Sequence, residues 1–203
     1  MKIICIGRNY VQHAKELNNP VPSKPVWFLK PETTLLLKNK PFFLPDFSKD
    51  IHYEAELVFK ICKLGKNISE KFAHTYYDEV AVGVDFTARD IQNAAKEKGL
   101  PWTEAKCFDG AAPISEFVRI SDLKNPMEIE FSLSKNGLVM QRGNSKEMLF
   151  SIDKIIAYVS QFVTLKIGDL IFTGTPAGVG KVEIGDLLEV YLEDEMLLEV
   201  PVK

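Results

Sequence analysis

Between Ile51 and Phe59 the chain reads IHYEAELVF, in which His52, Glu54, Glu56 and Val58 alternate with Tyr53, Ala55, Leu57 and Phe59. A period of two sends successive side chains to opposite faces of an extended strand, so the apolar set faces a core and the two glutamates share the other side. Residues i and i+2 on one face stand about 6.6 Å apart, near enough for two carboxylates to converge on one ion. Carboxylates so placed repel each other unless a proton or a cation lies between them, and a hard cation such as Mg2+, Mn2+ or Ca2+ answers that need. Water answers it too on a half-exposed sheet, so the alternation alone leaves both readings open.

The rest of the chain surrounds this strand with more strands than helices. KIICIG reads as a short buried strand, and Arg8 to Leu17 as a short helix carrying His13 and Glu16. Asn18 to Pro25 holds three prolines and no apolar period, which predicts a loop of the kind that serves as a lid. DEVAVGVDF is an apolar run ending at Asp85, and TARDIQNAAKEKG predicts a helix with Thr87 as N-cap and Gly99 as its stop. MEIEFSLSKNGLVM suits a hairpin turning on Asn136-Gly137 in a type I′ turn, and SIDKIIAYVSQFV a helix opened by Ser151. IGDLIF and IGDLLEV each place a Gly-Asp turn before an apolar strand. With 203 residues and 46% apolar content, these elements predict one α+β domain over residues 1–203.

The 25 basic and 28 acidic residues nearly cancel and form no long runs, which argues against nucleic-acid and membrane partners and for small molecules. Three cysteines without a C-x-x-C pair suit a reducing compartment. The apolar run Ile3 to Ile6 is too short for a signal-peptide core or a membrane span, so the expectation is a cytoplasmic protein.

Asp85, closing its apolar run, stands where strand ends present functional groups, or else simply complements the dipole of the following helix. Arg89 and Gln92, three apart on that helix, could offer a cation and an amide to a carboxylate, or be a solvated face. Lys106 falls in an irregular stretch near Trp102 and Phe108, where a shielded ammonium could stabilise an oxyanion. His13 and Glu16, at i and i+3, suit a carboxylate-oriented general base or an ordinary surface pair. No H-E-x-x-H, G-x-S-x-G or G-x-G-x-x-G is present. GTPAGVGK at 174–181 resembles a phosphate loop but has Thr175 for its first glycine and Val182 for its Ser or Thr; its amides and the Thr175 hydroxyl could instead nest a carboxylate. Arg142 and Lys146 are expected in a loop bordering the pocket.

Taken in order, IGRNYVQHAKE, FLKPETT, HYEAELVF, GVDFTARDIQ, KGLPWTEAKCFDGAAP and GDLIFTGTPAGVG resemble the fumarylacetoacetate hydrolase family over nearly the whole chain, most of all its short acylpyruvase and oxaloacetate decarboxylase group. The resemblance implies a mixed-strand β-roll flanked by helices, assembled as a homodimer. It implies that Glu54, Glu56 and Asp85 bind Mg2+ or Mn2+, that His13 and Glu16 activate water, that Lys106 stabilises an oxyanion, and that Arg89, Gln92 and Thr175 bind substrate. It also implies that the segment carrying His13 and Glu16 becomes ordered over bound ligand, which would make Asn18 to Pro25 part of a lid. The activity it implies first is metal-dependent hydrolysis of a carbon–carbon bond in a 3-acylpyruvate-type 2-oxo acid. Decarboxylation or tautomerisation of oxaloacetate, isomerisation and hydration use the same enolate chemistry and stand as alternatives, with a non-catalytic ligand-binding homologue as a further one.

Overall fold

The computed structural model describes residues 1–16, 20–37 and 40–203. With strands numbered along the chain, an eight-stranded sheet runs in the order β2 (Val26–Lys30), β1 (Ile3–Gly7), β12 (Leu170–Phe172), β5 (Ala55–Ile61), β6 (Tyr77–Val84), β8 (Ala112–Ile114) and β3 (Leu35–Leu37), with β9 (Val118–Arg119) beside β6. A four-stranded sheet runs β11 (Leu138–Asn144), β10 (Glu130–Lys135), β14 (Leu187–Leu192) and β15 (Glu195–Pro201). A small third sheet holds β13 (Gly180–Lys181), β4 (Ile51–Tyr53) and β7 (Thr87–Ala88). β1 pairs parallel with β12 and β3 with β8, while the other ladders are antiparallel, so the large sheet is mixed. One apolar cluster joins the sheets, with Tyr53, Leu57, Val82, Ala88, Leu133 and Val190 all in it, and the mixed sheet curls round that interior.

The helices are few: α1 (Val11–Glu16), α2 (Glu70–Ala73), α3 (Arg89–Lys98), α4 (Thr103–Lys106) and α5 (Ile152–Val159). α5 begins where Ser151 accepts the Lys154 N–H, and α3 ends on Gly99, whose left-handed φ of 65° a side chain would resist. α3 begins one residue later than its sequence suggests. Thr87 belongs to β7 and donates its hydroxyl to the Asp85 carbonyl, so Ala88 is the N-cap and no side chain caps the helix. The β10–β11 hairpin turns on Asn136 and Gly137 at φ 54° and 79°, the pair of positive values a type I′ turn requires. In the two Gly-Asp turns, Asp169 and Asp186 each accept the backbone N–H three residues earlier, from Lys166 and Glu183. Of the expected lid, Asn18 and Asn19 lie outside the described residues, as does Leu17 at the end of the expected first helix, and 20–25 form neither helix nor strand. Among the described residues no helix is long and apolar enough to cross a membrane.

The strand expected over 51–59 is divided at Glu54. Gln141 Oε1 accepts the Ala55 N–H at 2.9 Å, while the Asp85 N–H donates to the Glu54 carbonyl at 2.8 Å and keeps Glu54 opposite Asp85, in register with the pairs on either side. The chain leaves the small sheet after Tyr53 and enters the large one at Ala55. Both faces are covered, and from Ile51 to Phe59 only His52 is not fully buried.

Candidate metal and substrate site

Three chain passages deliver three carboxylates to one point. Glu54 comes from the break between β4 and β5, Glu56 from β5, and Asp85 from just beyond β6, which pairs Ala55 with Val84. Glu54, Glu56 and Asp85 are 5%, 1% and 1% exposed, and their oxygens lie within 4.8 Å of one another. Burial disposes of the solvated-strand reading, because buried carboxylates at this separation need positive charge or a proton.

Cations meet two of the three. Lys106, the last residue of α4, donates to Glu54 Oε2 at 2.8 Å and Asp85 Oδ2 at 2.6 Å. Arg89, the first residue of α3, donates through Nη2 to Glu54 Oε1 and through Nη1 to Gln92 Oε1 at 2.7 Å. Lys30 at the end of β2 donates to the Ala111 carbonyl at 3.0 Å and brings Nζ within 2.6 Å of Asp85 Oδ1, close as an ion pair but off the angle of a hydrogen bond. Burial alone pushes the Glu54 carboxyl up, but Lys106 and then Arg89 outweigh it and hold the group well below the usual range. Among the described residues Glu56 receives only the Gly174 N–H, at 2.6 Å; burial, then the charges of Asp85 and Glu54, push its carboxyl well above the usual range. Lys106 is itself held above an ordinary lysine, since Asp85 and Glu54 overcome the cost of burying it.

The donor set suits a hard divalent ion. Three oxygen ligands converge, Asp85 Oδ1 receives no hydrogen bond, and Glu56 has no basic partner within hydrogen-bond reach among the described residues.

The loop after β12 braces the site from the other side. Gly174, at φ 95°, must be glycine, because a Cβ would stand 2.8 Å from Asn9 Cβ and 3.1 Å from the Ile6 carbonyl. The amides of GTPAGVGK do nest carboxylates, but these belong to the protein: Gly174 N–H holds Glu56 and Gly178 N–H holds Glu16 Oε1 at 3.0 Å. Glu16 Oε2 in turn lies 3.2 Å from His13 Nδ1. Thr175 Oγ1 accepts from Gln141 Nε2 at 2.8 Å, so the Gln141 side chain ties the loop to the start of β5.

The cleft is lined by His13, Glu54, Glu56, Asp85, Arg89, Gln92, Lys106 and Thr175, with Glu16 behind His13. Three expectations differ from what is seen. Lys106 ends the short helix α4 rather than lying in an irregular stretch. The aromatic ring beside Lys106 is Phe28, 5.5 Å from Nζ, whereas Phe108 packs on Phe42 and Phe47. Arg142 and Lys146 do not line this cleft: Arg142 projects from β11, and Lys146 is exposed and paired with Glu128 at 2.9 Å. Sequence reasoning missed Lys30, Gln141 and two further cleft residues, Arg8 and Lys96. FLKPETT and IGRNY contain Lys30 and Arg8, yet no local period marks either.

A curled mixed sheet whose strand ends bring carboxylates to meet the lysines and histidine of adjoining helices in one buried cleft defines a small-molecule enzyme of the fumarylacetoacetate hydrolase type. Residues 2–203 match the fumarylacetoacetate hydrolase C-terminal domain, and the chain belongs to that family. It is 42% identical over 195 residues to the mitochondrial oxaloacetate tautomerase of Caenorhabditis elegans, covering 96% of this chain and 91% of that one. It is 44% identical over 189 residues to the mitochondrial oxaloacetate decarboxylase of Dictyostelium discoideum, covering 93% and 87%. The crystal structure of fumarylpyruvate hydrolase from Pseudomonas aeruginosa, in complex with Mn2+ and pyruvate, superposes with a TM-score of 0.93 at 35% identity, covering 100% of this chain and 89% of that one.

Proposed function

We propose that this chain is a divalent-metal-dependent enzyme that forms and discharges the enolate of an oxaloacetate-like 2-oxo acid, by tautomerisation or decarboxylation. The observation that carries this reading is the convergence of Glu54, Glu56 and Asp85 within 4.8 Å in a buried cleft. These three residues hold Mg2+ or Mn2+, and a bound ion supplies positive charge against the negative charge that develops on a keto oxygen. Similarity to the tautomerase and the decarboxylase supports this reading over hydrolysis.

The chain's own groups divide the remaining work. Arg89, already steadied by Gln92 and Glu54, receives the substrate carboxylate with little freedom left to lose. Gln92 accepts from Arg89 through Oε1, which leaves its NH2 group to donate, and Thr175 accepts from Gln141, which leaves its hydroxyl proton to donate. Lys106 sets an ammonium beside the oxygen that becomes negative. His13 gives its Nδ1–H to Glu16, so Nε2 carries the lone pair and takes a proton from carbon 3 of the substrate. In tautomerisation that C–H bond breaks, its electrons form the C=C bond and the keto oxygen gains a proton. In decarboxylation the bond to the distal carboxylate breaks, carbon dioxide leaves and carbon 3 is protonated.

Hydrolysis of a 3-acylpyruvate is the second reading, favoured by the anchoring of Glu16 behind His13. There His13 deprotonates water, which attacks the distal carbonyl while Lys106 stabilises its oxygen. Oxaloacetate, acetylpyruvate and fumarylpyruvate assayed with Mn2+, with Mg2+ and with chelator separate these cases. Oxaloacetate should turn over only with metal, and Glu54→Gln should lower that rate by roughly 100-fold or more with the fold retained. His13→Ala should abolish acylpyruvate hydrolysis and tautomerisation but spare decarboxylation. Full turnover in excess chelator would overturn the metal reading, and zero turnover across the panel would leave a non-catalytic binding protein.

A further inference from the structure

Arg8 and Lys96 stand in the wall of the cleft without a counter-charge. Among the described residues neither makes an ion pair, and Arg8 Nε is buried with no hydrogen-bond partner. Both are steered by the same aromatic ring: Arg8 Cζ is 5.9 Å and Lys96 Nζ 5.8 Å from the centre of the Trp102 indole. The indole is fixed on its other contacts by the edge of Phe28, 5.9 Å between centres, and by Gly7, where a Cβ would stand 3.3 Å from a Trp102 ring carbon. Arg8 reaches this place through a left-handed backbone, φ 60°, which a residue other than glycine adopts only when its surroundings hold it there.

The order of residues along α3 sets where this pair lies. Arg89, Gln92 and Lys96 fall at i, i+3 and i+7 and so share one face, which the cleft confirms by exposing all three to its interior. At about 1.5 Å per residue, Lys96 stands about 10 Å further along the helix than Arg89. Arg89 is bonded to Glu54 at the carboxylate cluster, so Lys96, with Arg8 beside the indole, serves the far end of whatever that cluster holds. The crowding is evident in the lysine itself. Burial, then Arg89 and Arg8, bring its ammonium down to about 8, against weaker opposing help from Glu54, and Lys106 adds to the depression.

We propose that Arg8 and Lys96 form an anion subsite for a second carboxylate, so that this chain selects 2-oxo acids that are dicarboxylic over those ending in a neutral group. The inference rests on the 2-oxo acid reading above and narrows it: oxaloacetate and fumarylpyruvate qualify, and acetylpyruvate does not. A second carboxylate supplies the missing negative charge and accepts from Arg8 Nε or its neighbouring guanidinium donors.

The test is calorimetric titration of the Mn2+-loaded protein with 2-oxoglutarate and with 2-oxopentanoate, which share the 2-oxo acid head and chain length and differ in the distal carboxylate. Wild type should bind 2-oxoglutarate at least about tenfold more tightly, about 1.4 kcal/mol. In Lys96→Met and Arg8→Met that ratio should fall toward one, and Lys96→Arg should restore it. At pH 8 the binding of 2-oxoglutarate to wild type should take up protons, because the bound anion favours the charged lysine. Equal affinities in wild type overturn the subsite and leave the 2-oxo acid reading standing. Absence of binding by both acids overturns the two together. A ratio that persists in the variants while both affinities fall makes Arg8 and Lys96 structural and overturns the subsite.

Discussion

Of the three clustered acids, Glu56 is the least compensated among the described residues. Glu54 has Lys106 and Arg89, and Asp85 has Lys106 and Lys30, but Glu56 has one backbone N–H and two neighbouring acids. In metal-free protein that residue works against folding, and a cation reverses the sign. Glu56→Gln keeps an acceptor for Gly174 N–H and removes the repulsion. The metal-free variant should therefore be more stable than metal-free wild type by about 1 kcal/mol, a rise in Tm of about 2–4 °C. Its Tm should then ignore Mn2+, whereas wild type should gain about 2.7 kcal/mol at 100 times the Kd. Thermal melts with and without Mn2+ read both, and a metal-free variant melting below wild type would reject the account. At this scale the acids could be read as a pair from alternation, but their burial could not. Burial comes from Lys30, Arg89 and Lys106, which lie 24, 35 and 52 residues from Glu54 and share no local period with it. For Asp85, Lys106 and His13 local spacing offers equal or stronger alternatives, and the proposed roles are implied by the ordered blocks alone.

Elements meet at this site through their ends. β5 begins, β6 finishes, α3 starts and α4 stops within reach of one another, and the loop of 173–178 crosses them. That loop sets two devices at once, since Gly174 holds Glu56 and Gly178 holds Glu16. Gly178 has φ 99°, and a Cβ there would stand 2.2 Å from the Met140 carbonyl, a backbone atom on β11 that cannot swing aside. Gly178→Ala must shift the loop and release Glu16, which leaves His13 without its orienting partner. The expected result is a fall of about 10-fold or more in kcat for the reaction proposed to need His13, with Mn2+ affinity, assigned above to the three acids, measured separately by calorimetry. Loss of Mn2+ binding in step with kcat would show that the loop acts on the whole site rather than on Glu16. Turns and caps at this scale were legible because their chemistry is local: Asn136-Gly137, Gly99 and Ser151 each needed only their neighbours. The break at Glu54 was not, because the side chain that accepts the Ala55 N–H beside it, Gln141, comes from 86 residues away.

The whole chain carries a formal charge of −3, yet the cleft sets four basic residues, Arg8, Arg89, Lys96 and Lys106, against three acids, with a fifth, Lys30, buried behind Asp85. Composition could exclude a basic nucleic-acid surface but could not reveal this separation, which arises when the residue after β1 and the helices α3 and α4 bring their cations to one cleft. The parallel pairing of β1 with β12, joined across the length of the chain, was hidden for the same reason. Field lines concentrate in such a cleft, and a bound divalent ion strengthens them, so anionic substrates are drawn in against the repulsion of the surface. Screening cuts this attraction, since the Debye length shrinks from about 30 Å at 0.01 M salt to about 10 Å at 0.1 M. A dianion feels the field twice as strongly as a monoanion. Raising NaCl at constant metal should lower kcat/KM for oxaloacetate more steeply than for acetylpyruvate, with kcat for each changing little. Parallel slopes for the two substrates would mean that the cleft cations act only at contact and not at a distance.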